Sequence, residues 1–411
     1  MPAYHPKQGL STLMTHVGEG DHADHAHVMP IYQTSTFGLG DVERGAALFT
    51  GEVDGYSYTR LNNPNQEQTA GKIAVLEGLD LLRADPDSPT ETVVRALLFS
   101  SGMAAVSSAI IGRVKKGEAV IVQTSLYAGT FAFLKDYAPR FGIEVVWLAD
   151  TSLAGWEAAF AAHPNVSLAY AESPSNPTMD MVDLAGVAGI AHNHGAWLMV
   201  DNTFASPFCQ RPLSLGADVV VHSTTKYLCG HGLVVGGAAV SSHPDYVQGG
   251  LFGALKILGG CASPFDAWLT AVGLKTFELR MQRHCENALA LARFLEADPR
   301  VGAVYYPGLE SFPGHDLAQR QMPGGFGGMI SFDLKGGMHA GRTMMERVQV
   351  CTLAVSLGNV DTLVTHPAST THYPVPAEER RKMGISDGMI RLSVGTENIE
   401  DLLEDLDQAM I

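Results

Sequence analysis

The chain has 411 residues and is 46% hydrophobic, which suffices for a sizeable buried core divided over two or three packed regions. Its 27 Lys and Arg against 43 Asp and Glu give a formal net charge of −16. An acidic chain without a basic stripe argues against nucleic acid or an anionic membrane as a partner. No apolar leader opens the sequence and no apolar stretch is long enough to span a membrane, so we expect a cytoplasmic protein. The five cysteines have no paired spacing, which fits free thiols in a reducing compartment.

The first 75 residues contain scattered Gly and Pro and few periodic stretches, which predicts an N-terminal arm without a core of its own. His22, His25 and His27 form a cluster in this arm that could bind a transition metal. A flexible polar arm is the simpler interpretation, and we predict no metal site. The segment 83–92 is rich in Pro and acidic residues, which predicts a surface loop.

Farther along the chain, apolar runs typical of strands alternate with helical patterns near 129–139 and 184–194. The predicted strands are 119–123, 144–148, 168–172, 196–201 and 218–222. This alternation predicts an α/β fold with a mostly parallel sheet and a central catalytic crevice. A long helix starting at 273–281 is expected to lead into a C-terminal part that ends in an acidic amphipathic helix near 397–410. The expected domains are an arm at 1–75, a large domain at 76–275 and a smaller C-terminal α/β domain at 276–411.

Lys226 lies in the run Val-Val-Val-His-Ser-Thr-Thr-Lys-Tyr, 25 residues after a predicted strand that ends on Asp201. Such a lysine suits an aldehyde cofactor with a basic ring nitrogen, which is pyridoxal phosphate. The amine would form the Schiff base, Asp201 would keep the pyridine nitrogen protonated, and Ser223 and Thr225 would hydrogen-bond the phosphate. Alone, the same pattern also fits a surface lysine after a buried strand.

A polar turn before a small-residue helix contains Ser101, Gly102 and Met103. Backbone N–H groups at a helix start bind phosphate, although Ser-Gly helix starts are common without a ligand. Upstream, Tyr58 and Arg60 are two residues apart, on one face if the segment is extended. Their phenol and guanidinium could complete a phosphate site, and an ordinary arginine on a solvated loop is the alternative.

Nine ordered motifs span the chain from about Gly9 to its C-terminus. They are Tyr-Thr-Arg-x-x-Asn-Pro at 58–64, Ser-Gly-Met at 101–103, Leu-Tyr-x-Gly-Thr at 126–130, Glu-Ser-Pro-Ser-Asn-Pro at 172–177, Val-Asp-Asn-Thr-Phe at 200–204, His-Ser-Thr-Thr-Lys-Tyr-Leu-Cys-Gly-His at 222–231, Ser-Leu-Gly at 356–358, His-Pro-Ala-Ser-Thr-Thr-His at 366–372 and Arg-Leu-Ser-Val-Gly at 391–395. Together they resemble the Cys/Met-metabolism branch of fold-type I pyridoxal-phosphate enzymes. That branch includes cystathionine γ-synthase, cystathionine γ-lyase, methionine γ-lyase and O-acetylhomoserine sulfhydrylase.

The resemblance implies the fold-type I transferase architecture, which is like that of aspartate aminotransferase, with pyridoxal phosphate as cofactor and an amino acid as substrate. It also implies a homo-oligomer, with a homotetramer as the expected form. In the family the N-terminal arm reaches a neighbouring subunit. Tyr58 and Arg60 are therefore expected to serve the phosphate of the partner's cofactor.

The resemblance assigns roles to further residues that follow predicted strands. Tyr127 is expected to stack on the pyridine ring and to act as an acid toward the leaving group, with a buried core tyrosine as the alternative. Asn176 is expected near the ring oxygen of the cofactor, and Thr203 joins the cofactor-binding residues. Glu172 is given only a structural role.

Arg391 lies in an apolar strand, where an unpaired guanidinium is costly to bury. The α-carboxylate of a substrate is its natural bidentate partner, and Ser356 is expected to support it. In the expected reaction the substrate amine displaces Lys226, and the freed lysine amine takes the α-proton. After a proton leaves Cβ, a group leaves Cγ with Tyr127 as the acid. The outcome is either elimination to a 2-oxo acid and ammonia, or replacement by an incoming nucleophile.

The identity of the leaving group depends on where the chain departs from the family patterns. Cystathionine-processing γ-lyases carry a glutamate where this chain has Val355, which disfavours cystathionine. Methionine γ-lyases share that valine. However, this chain has Gly129 where they have a cysteine after the active-site tyrosine, and it has Lys256-Ile257 where they have a Lys-Asp pair.

We therefore expect a γ-lyase for a homoserine-type amino acid with a substituent on Cγ, most like methionine γ-lyase. The changed pocket could take another leaving group, such as the hydroxyguanidine of canavanine. One alternative is a γ-replacement enzyme, either an O-acylhomoserine sulfhydrylase or a cystathionine γ-synthase. A non-catalytic binding or regulatory protein on the same scaffold is a remote alternative, because Lys226, Asp201, Tyr127 and Arg391 are all retained.

Overall fold

The computed structural model describes residues 5–20, 22–371, 373, 376–382 and 384–411. These residues form two β-sheets of unequal size, each covered by helices. Within the described residues, no helix has both the length and the apolar character needed to cross a membrane. His372, the last residue of the 366–372 motif, lies outside the described residues.

The larger sheet has seven strands in the order β1-β7-β6-β5-β4-β2-β3. They are β1 (Arg95–Phe99), β2 (Ala119–Gln123), β3 (Glu144–Leu148), β4 (Val166–Glu172), β5 (Trp197–Asp201), β6 (Val219–His222) and β7 (Gly237–Ser241). Strands β6, β5, β4, β2 and β3 run parallel, whereas β7 is antiparallel to both of its neighbours. The predicted α/β fold with a mostly parallel sheet is confirmed.

The strands of this sheet are continuous apolar runs because both faces of the sheet are covered. Every residue of β2 and β7 is buried. Successive side chains alternate between the faces. Leu198 and Val200 of β5 belong to one hydrophobic cluster, and Met199 belongs to the other.

The smaller sheet has the order β10-β11-β12-β9-β8 and is mostly antiparallel. Its strands are β8 (Val301–Tyr305), β9 (Met329–Leu334), β10 (Thr352–Leu353), β11 (Leu363–Thr365) and β12 (Met389–Ser393). It is the predicted C-terminal α/β part. The proposed boundaries of the three domains at 75 and 275 stay a prediction.

The helices lie around the two sheets. In chain order they are α1 (Leu10–His16), α2 (Val42–Thr50), α3 (Pro64–Glu77), α4 (Leu79–Ala84), α5 (Thr90–Val93), α6 (Gly102–Arg113), α7 (Ala128–Ala132), α8 (Leu153–Ala162), α9 (Leu184–Asn193), α10 (Ser206–Cys209), α11 (Pro244–Tyr246), α12 (Phe252–Leu258), α13 (Pro264–Leu274), α14 (Phe277–Ala297), α15 (His315–Gln321), α16 (Gly337–Arg347), α17 (Ala377–Lys382) and α18 (Ile399–Ala409). The long helix α14 contacts α1 at the N-terminus and β8, β9 and α18 of the C-terminal part. It therefore connects the two ends of the chain.

Two predicted elements differ from the observed ones. The helix expected near 129–139 consists of α7, a π-helical turn at Phe133–Tyr137 and a 3-10 turn at Ala138–Phe141, since Pro139 has no N–H with which to continue a regular helix. The segment 83–92 is only partly a loop, because it includes the end of α4 and the start of α5.

The N-terminal segment is fixed by a buried carboxylate. Glu19 lies 3.4 Å from the Nζ of Lys72 and 3.0 Å from the Nζ of Lys275. His22 of the histidine cluster lies 3.5 Å from the same carboxylate. Among the described residues, no three His, Cys, Asp or Glu side chains are grouped so that they could hold a metal ion.

Candidate active site

Three neighbouring parallel strands end at one edge of the larger sheet. Glu172 ends β4 and pairs in register with Asp201, which ends β5. Asp201 in turn pairs with Val221 of β6, and Lys226 follows in the turn after that strand. Because the carboxyl ends of parallel strands meet at one edge, these residues from distant parts of the chain lie in one crevice.

Lys226 is held by the C-terminal part of the chain. Its Nζ donates a hydrogen bond to Ser356 Oγ at 2.6 Å, and Ser356 has a left-handed backbone with a φ of 86°. No carboxylate of the described residues lies within ion-pair distance of this amine. Burial, and then the positive charge of Arg391, lower the pKa of Lys226 to about 8. The amine is therefore neutral more often than that of an ordinary lysine.

Asp201 is only 9% exposed. It accepts a hydrogen bond from the backbone N–H of Thr203 at 3.0 Å and one from the Tyr170 hydroxyl at 3.3 Å. Burial raises the pKa of Asp201. Thr203 also accepts, through its hydroxyl, the N–H of Ser223 at 2.9 Å. The Asp201 loop and the turn that carries Lys226 are thus joined directly.

The turn at 101–103 begins α6. Ser101 is the N-cap, and its Oγ accepts the N–H of Ala104 at 3.1 Å. A Cβ on Gly102 would lie 2.8 Å from the Cβ of Ser223, so only glycine lets these two backbones approach. The structure therefore brings Ser101, Gly102, Met103 and Ser223 together. Thr225 is placed differently, since its hydroxyl exchanges hydrogen bonds with the backbone of Gly236.

Tyr58 and Arg60 contact each other, but within this chain they do not hydrogen-bond the 101–103 turn. The Arg60 guanidinium carbon lies 5.5 Å from the centroid of the Tyr58 ring, and its Nη1 donates to the Lys256 carbonyl at 2.5 Å. Tyr58 is 44% exposed. Within the described residues, Arg60 therefore binds the Lys256 carbonyl, and neither side chain forms a hydrogen bond with the 101–103 turn.

Tyr127 lies at the rim of the crevice and is 48% exposed. Its backbone N–H donates to Glu172 Oε2 at 2.8 Å, and the N–H of Asn176 donates to Oε1 of the same carboxylate at 2.8 Å. A Cβ on Gly129 would lie 2.5 Å from Cε1 of Tyr127 and 3.0 Å from the sulfur of Met103. The glycine thus leaves room for the tyrosine ring in this position.

Glu172 and Tyr170 are the residues that the sequence reasoning undervalued. Glu172 fixes the backbones that present Tyr127 and Asn176, and burial together with the charge of Asp201 raises its pKa to about 8. Tyr170 hydrogen-bonds Asp201. Their positions could have indicated a role in the site, because both residues are near the end of β4, beside the strand that ends on Asp201.

Arg391 joins the two sheets. Its Nη1 donates to Asn176 Oδ1 and its Nη2 to the Ser356 carbonyl, both at 3.1 Å. Burial lowers the pKa of Arg391 to about 10, and no carboxylate of the described residues forms an ion pair with it. Val355, next to Ser356, is 63% exposed.

A family model described as "Cys/Met metabolism PLP-dependent enzyme" matches residues 11–411. The chain belongs to this family. It is 46% identical over 403 residues to an L-methionine gamma-lyase of Porphyromonas gingivalis, which covers 97% of this chain and 96% of that protein. It is 38% identical over 397 residues to an O-succinylhomoserine sulfhydrylase of Pseudomonas aeruginosa, with coverage of 97% and 94%. The crystal structure of a cystathionine gamma synthase from Xanthomonas oryzae pv. oryzae, in complex with aminoacrylate and cysteine, matches with a TM-score of 0.88 at 37% identity, covering 98% of this chain and 97% of that one.

Membership of the Cys/Met metabolism family confirms the predicted enzyme class, the fold-type I architecture and pyridoxal phosphate as the cofactor. Two features of the crevice suit this cofactor. The close approach of Gly102 and Ser223 forms a cradle of backbone groups at the start of α6. At the other end, the buried Asp201 has no ion-pair partner among the described residues, as expected of a carboxylate that receives a protonated ring nitrogen.

Proposed function

We propose that this enzyme is a γ-lyase for homoserine-type amino acids that carry a leaving group on Cγ. The observation that carries the proposal is a set of three groups in the crevice. They are the Lys226 amine with its lowered pKa, the buried Arg391 guanidinium, which forms no ion pair with a carboxylate of the described residues, and the exposed phenol of Tyr127. The relatedness to L-methionine gamma-lyases supports elimination as the reaction.

Different residues of the crevice would bind different parts of the cofactor and substrate. Lys226 would bind the aldehyde carbon of the cofactor. Asp201, supported by Thr203, would bind the ring nitrogen. The phosphate would lie against the start of α6, where Ser101, Gly102, Met103 and Ser223 are the candidate ligands. The Thr225 hydroxyl, which was expected to join them, instead bonds the backbone of Gly236. Asn176 would lie near the ring oxygen of the cofactor. Arg391 would bind the substrate α-carboxylate, since the guanidinium forms two parallel hydrogen bonds with such a group.

When bound, pyridoxal phosphate supplies the electron sink that makes the protons on Cα and Cβ of an amino acid removable. Lys226 moves these protons, and Ser356 keeps its amine in place through the 2.6 Å hydrogen bond. Tyr127 gives a proton to the group that leaves Cγ. Water then releases the remaining carbon skeleton as a 2-oxo acid and ammonia.

The identity of the leaving group is the finer part of the proposal. Val355 is apolar and cannot repay the desolvation of a distal ammonium, which argues against cystathionine. The replacements at Gly129 and Ile257 distinguish this pocket from that of the methionine γ-lyases that it otherwise resembles. Methanethiol is the leaving group that the relatives favour, and an oxygen-linked group such as the hydroxyguanidine of canavanine is the alternative.

Product analysis tests both parts of the proposal. The enzyme is incubated with a panel of amino acids substituted on Cγ, with and without a thiol acceptor. A γ-lyase releases a 2-oxo acid and ammonia whether or not the thiol is present. A thioether product that forms only with the thiol would instead establish γ-replacement, the alternative that the similarity to an O-succinylhomoserine sulfhydrylase supports.

We further propose that the active unit is at least a dimer, with a homotetramer as the expected assembly. The supporting observation is that Arg60 contacts the Lys256 carbonyl and the Tyr58 ring rather than the phosphate cradle of its own chain. Mixed oligomers of inactive Arg60→Ala and Lys226→Ala chains should regain activity if the site is shared. No recovery in oligomers shown to be mixed would favour a site built within one chain.

A further inference from the structure

Two cysteine thiols from different helices are in direct contact. Cys209 is the last residue of α10, and Cys285 lies in the first half of α14. Their sulfur atoms are 3.7 Å apart, although the residues are 76 positions apart in the chain. All five cysteines lie within the described residues and are free thiols, and no other two of them are in hydrogen-bond contact. The contact therefore singles out one pair of thiols in this chain.

A glycine-rich turn before β9 packs closely against both cysteines. A Cβ on Gly324 would lie 1.9 Å from the carbonyl oxygen of Phe208 and 3.4 Å from the Cα of Cys209. A Cβ on Gly325 would lie 2.9 Å from the sulfur of Cys285. Gly325 also has a φ of 134°, which glycine adopts without strain. The turn thus leaves the space between the two cysteines to their sulfur atoms.

The two thiols differ in exposure and in acidity. Cys209 is 0% exposed, whereas Cys285 is partly exposed. Burial raises the pKa of the Cys209 thiol. The hydrogen bond from Cys209 lowers the pKa of Cys285, an effect that burial only partly offsets. Because the thiolate is the reactive form and an oxidant must reach it, Cys285 is the thiol that we expect to react first.

We propose that Cys209 and Cys285 form an oxidation site, at which a hydroperoxide converts Cys285 to a sulfenic acid and Cys209 then closes a disulfide. In the first step an S–O bond forms, the O–O bond breaks, and the departing oxygen leaves as water or an alcohol with the proton of the Cys285 thiol. In the second step the Cys209 sulfur attacks the oxidised sulfur, so that the S–S bond forms and the S–O bond breaks. The hydroxide that departs takes the Cys209 proton and leaves as water. The two sulfur atoms together lose two electrons, which reduce the peroxide.

The disulfide requires only a short movement and would join distant parts of the chain. An S–S bond is about 2.05 Å long, so the sulfur atoms must approach by roughly 1.7 Å from their separation of 3.7 Å. The bond would connect α10, which follows the Asp201 loop, to α14, which reaches the C-terminal part. A cross-link over 76 residues restricts the unfolded chain, so oxidation should stabilise the fold. In a reducing environment the pair stays reduced until an oxidant is present.

Peptide mapping tests the site directly. The full-length holoenzyme is treated with a small excess of hydrogen peroxide and digested without reductant for mass spectrometry. We expect a linked pair of peptides that contain Cys209 and Cys285, with the loss of two of the five thiols. The Tm should rise by at least about 2 °C. Dithiothreitol should reverse both changes.

Three serine variants assign the order of the steps. In Cys209→Ser the sulfenic acid on Cys285 has no thiol to resolve it, so dimedone should label Cys285. In Cys285→Ser the buried Cys209 should stay unlabelled. The matched control is Cys351→Ser, which removes a buried thiol outside the pair and should form the linked peptides as wild type does. If Cys209→Ser fails to fold, Cys209→Ala takes its place.

Four results would overturn the inference. They are the absence of the linked peptides, a dimedone adduct on Cys209 in Cys285→Ser, a lower Tm in the oxidised wild-type enzyme, and an equal rise of the Tm in Cys209→Ser. The last result would show that the change in stability does not come from the S–S bond. Neither cysteine belongs to the proposed active site, so the product analysis that tests the γ-lyase proposal is independent of this one.

Discussion

The two halves of the crevice are built in different ways. On the side where we propose that the cofactor binds, Asp201 and Glu172 are 9% and 4% exposed and lie at the ends of adjacent strands. On the side where we propose that the leaving group lies, Tyr127 and Val355 are 48% and 63% exposed and lie outside the helices and strands. The position of the first pair is fixed by backbone pairing and buried hydrogen bonds. The shape of the second region depends mostly on the identity of the side chains at the rim.

We expect this difference to separate the residues that perform the chemistry from those that select the substrate. Moving Asp201 would require breaking the pairing of β5 with β4 and β6, which the whole sheet resists. Changing Val355 or Gly129 alters the pocket with little effect on the strands. The same framework can therefore serve relatives with different leaving groups, as the γ-lyase and sulfhydrylase relatives of this chain illustrate.

Replacement of Lys226 should have the largest effect, because no other side chain can take over its amine. We expect Lys226→Ala to lower kcat by at least about 1,000-fold. Lys335→Ala, which removes an exposed lysine, serves as the control and should retain normal kcat. Borohydride reduction of the wild-type enzyme followed by peptide mapping should label Lys226. Label on another lysine would contradict the assignment.

Replacement of Arg391 should have the second largest effect. Arg391→Lys keeps a positive charge but loses the planar fork that contacts both Asn176 and Ser356. We expect KM to rise roughly tenfold to hundredfold, since a charge-assisted hydrogen bond is lost. Arg300→Lys, remote from the crevice, is the matched control. A KM equal to that of wild type would show that the substrate carboxylate binds elsewhere.

The lowered pKa of Lys226 predicts how cofactor uptake depends on pH. The amine attacks the aldehyde only when neutral, and the neutral form predominates above a pKa of about 8. Uptake by apoprotein should therefore rise with pH through a midpoint near 8 and level off about one pH unit above it, with a rate at pH 7 about tenfold below the plateau. Stopped-flow absorbance of the bound cofactor measures this rate. A midpoint near 10.5, the ordinary lysine value, would exclude the lowered pKa.

The smallest expected effect concerns Val355 on the exposed side. A glutamate there can form a charge-assisted hydrogen bond with the distal ammonium of cystathionine, which contributes roughly 1.5–3 kcal/mol. Because the position is 63% exposed, we expect the lower end of that range. The ratio of kcat/KM for cystathionine over methionine should rise about tenfold in Val355→Glu. Val355→Gln controls for polarity without charge, and an equal rise in both variants would exclude the electrostatic explanation.

The features that the sequence predicted best are those that depend on the local pattern of apolar and polar residues. Asp201 and Lys226 were recognisable because the first ends an apolar strand and the second follows one. The observed strands β2 to β6 lie at or within two residues of the predicted ones. For Glu172 the sequence indicated only an unspecified structural role, because its carboxylate acts on the backbone N–H groups of Tyr127 and Asn176, which no side-chain pattern records. The split of the helix near 129–139 was also missed, although Pro139 was a visible signal.

Contacts between distant parts of the chain could not be derived from pattern. Arg391 and Asn176 are 215 residues apart, and Cys209 and Cys285 are 76 apart. Periodicity gives the face of an element but not its neighbour in space. Only family resemblance suggested that Arg391 and Asn176 belong to one site, and nothing in the sequence reasoning joined Cys209 to Cys285.

The hydrogen bond between Lys226 and Ser356 has a consequence for how the protein is made, because it joins residues 130 positions apart. Pairings of such long range form late, since the loop between them must first be closed. A nascent chain that extends only to α14 already contains Asp201, Lys226 and the 101–103 turn but lacks Ser356 and Arg391. Synthesis of the last quarter of the chain therefore decides when Lys226 first meets Ser356 and the nearby charge of Arg391.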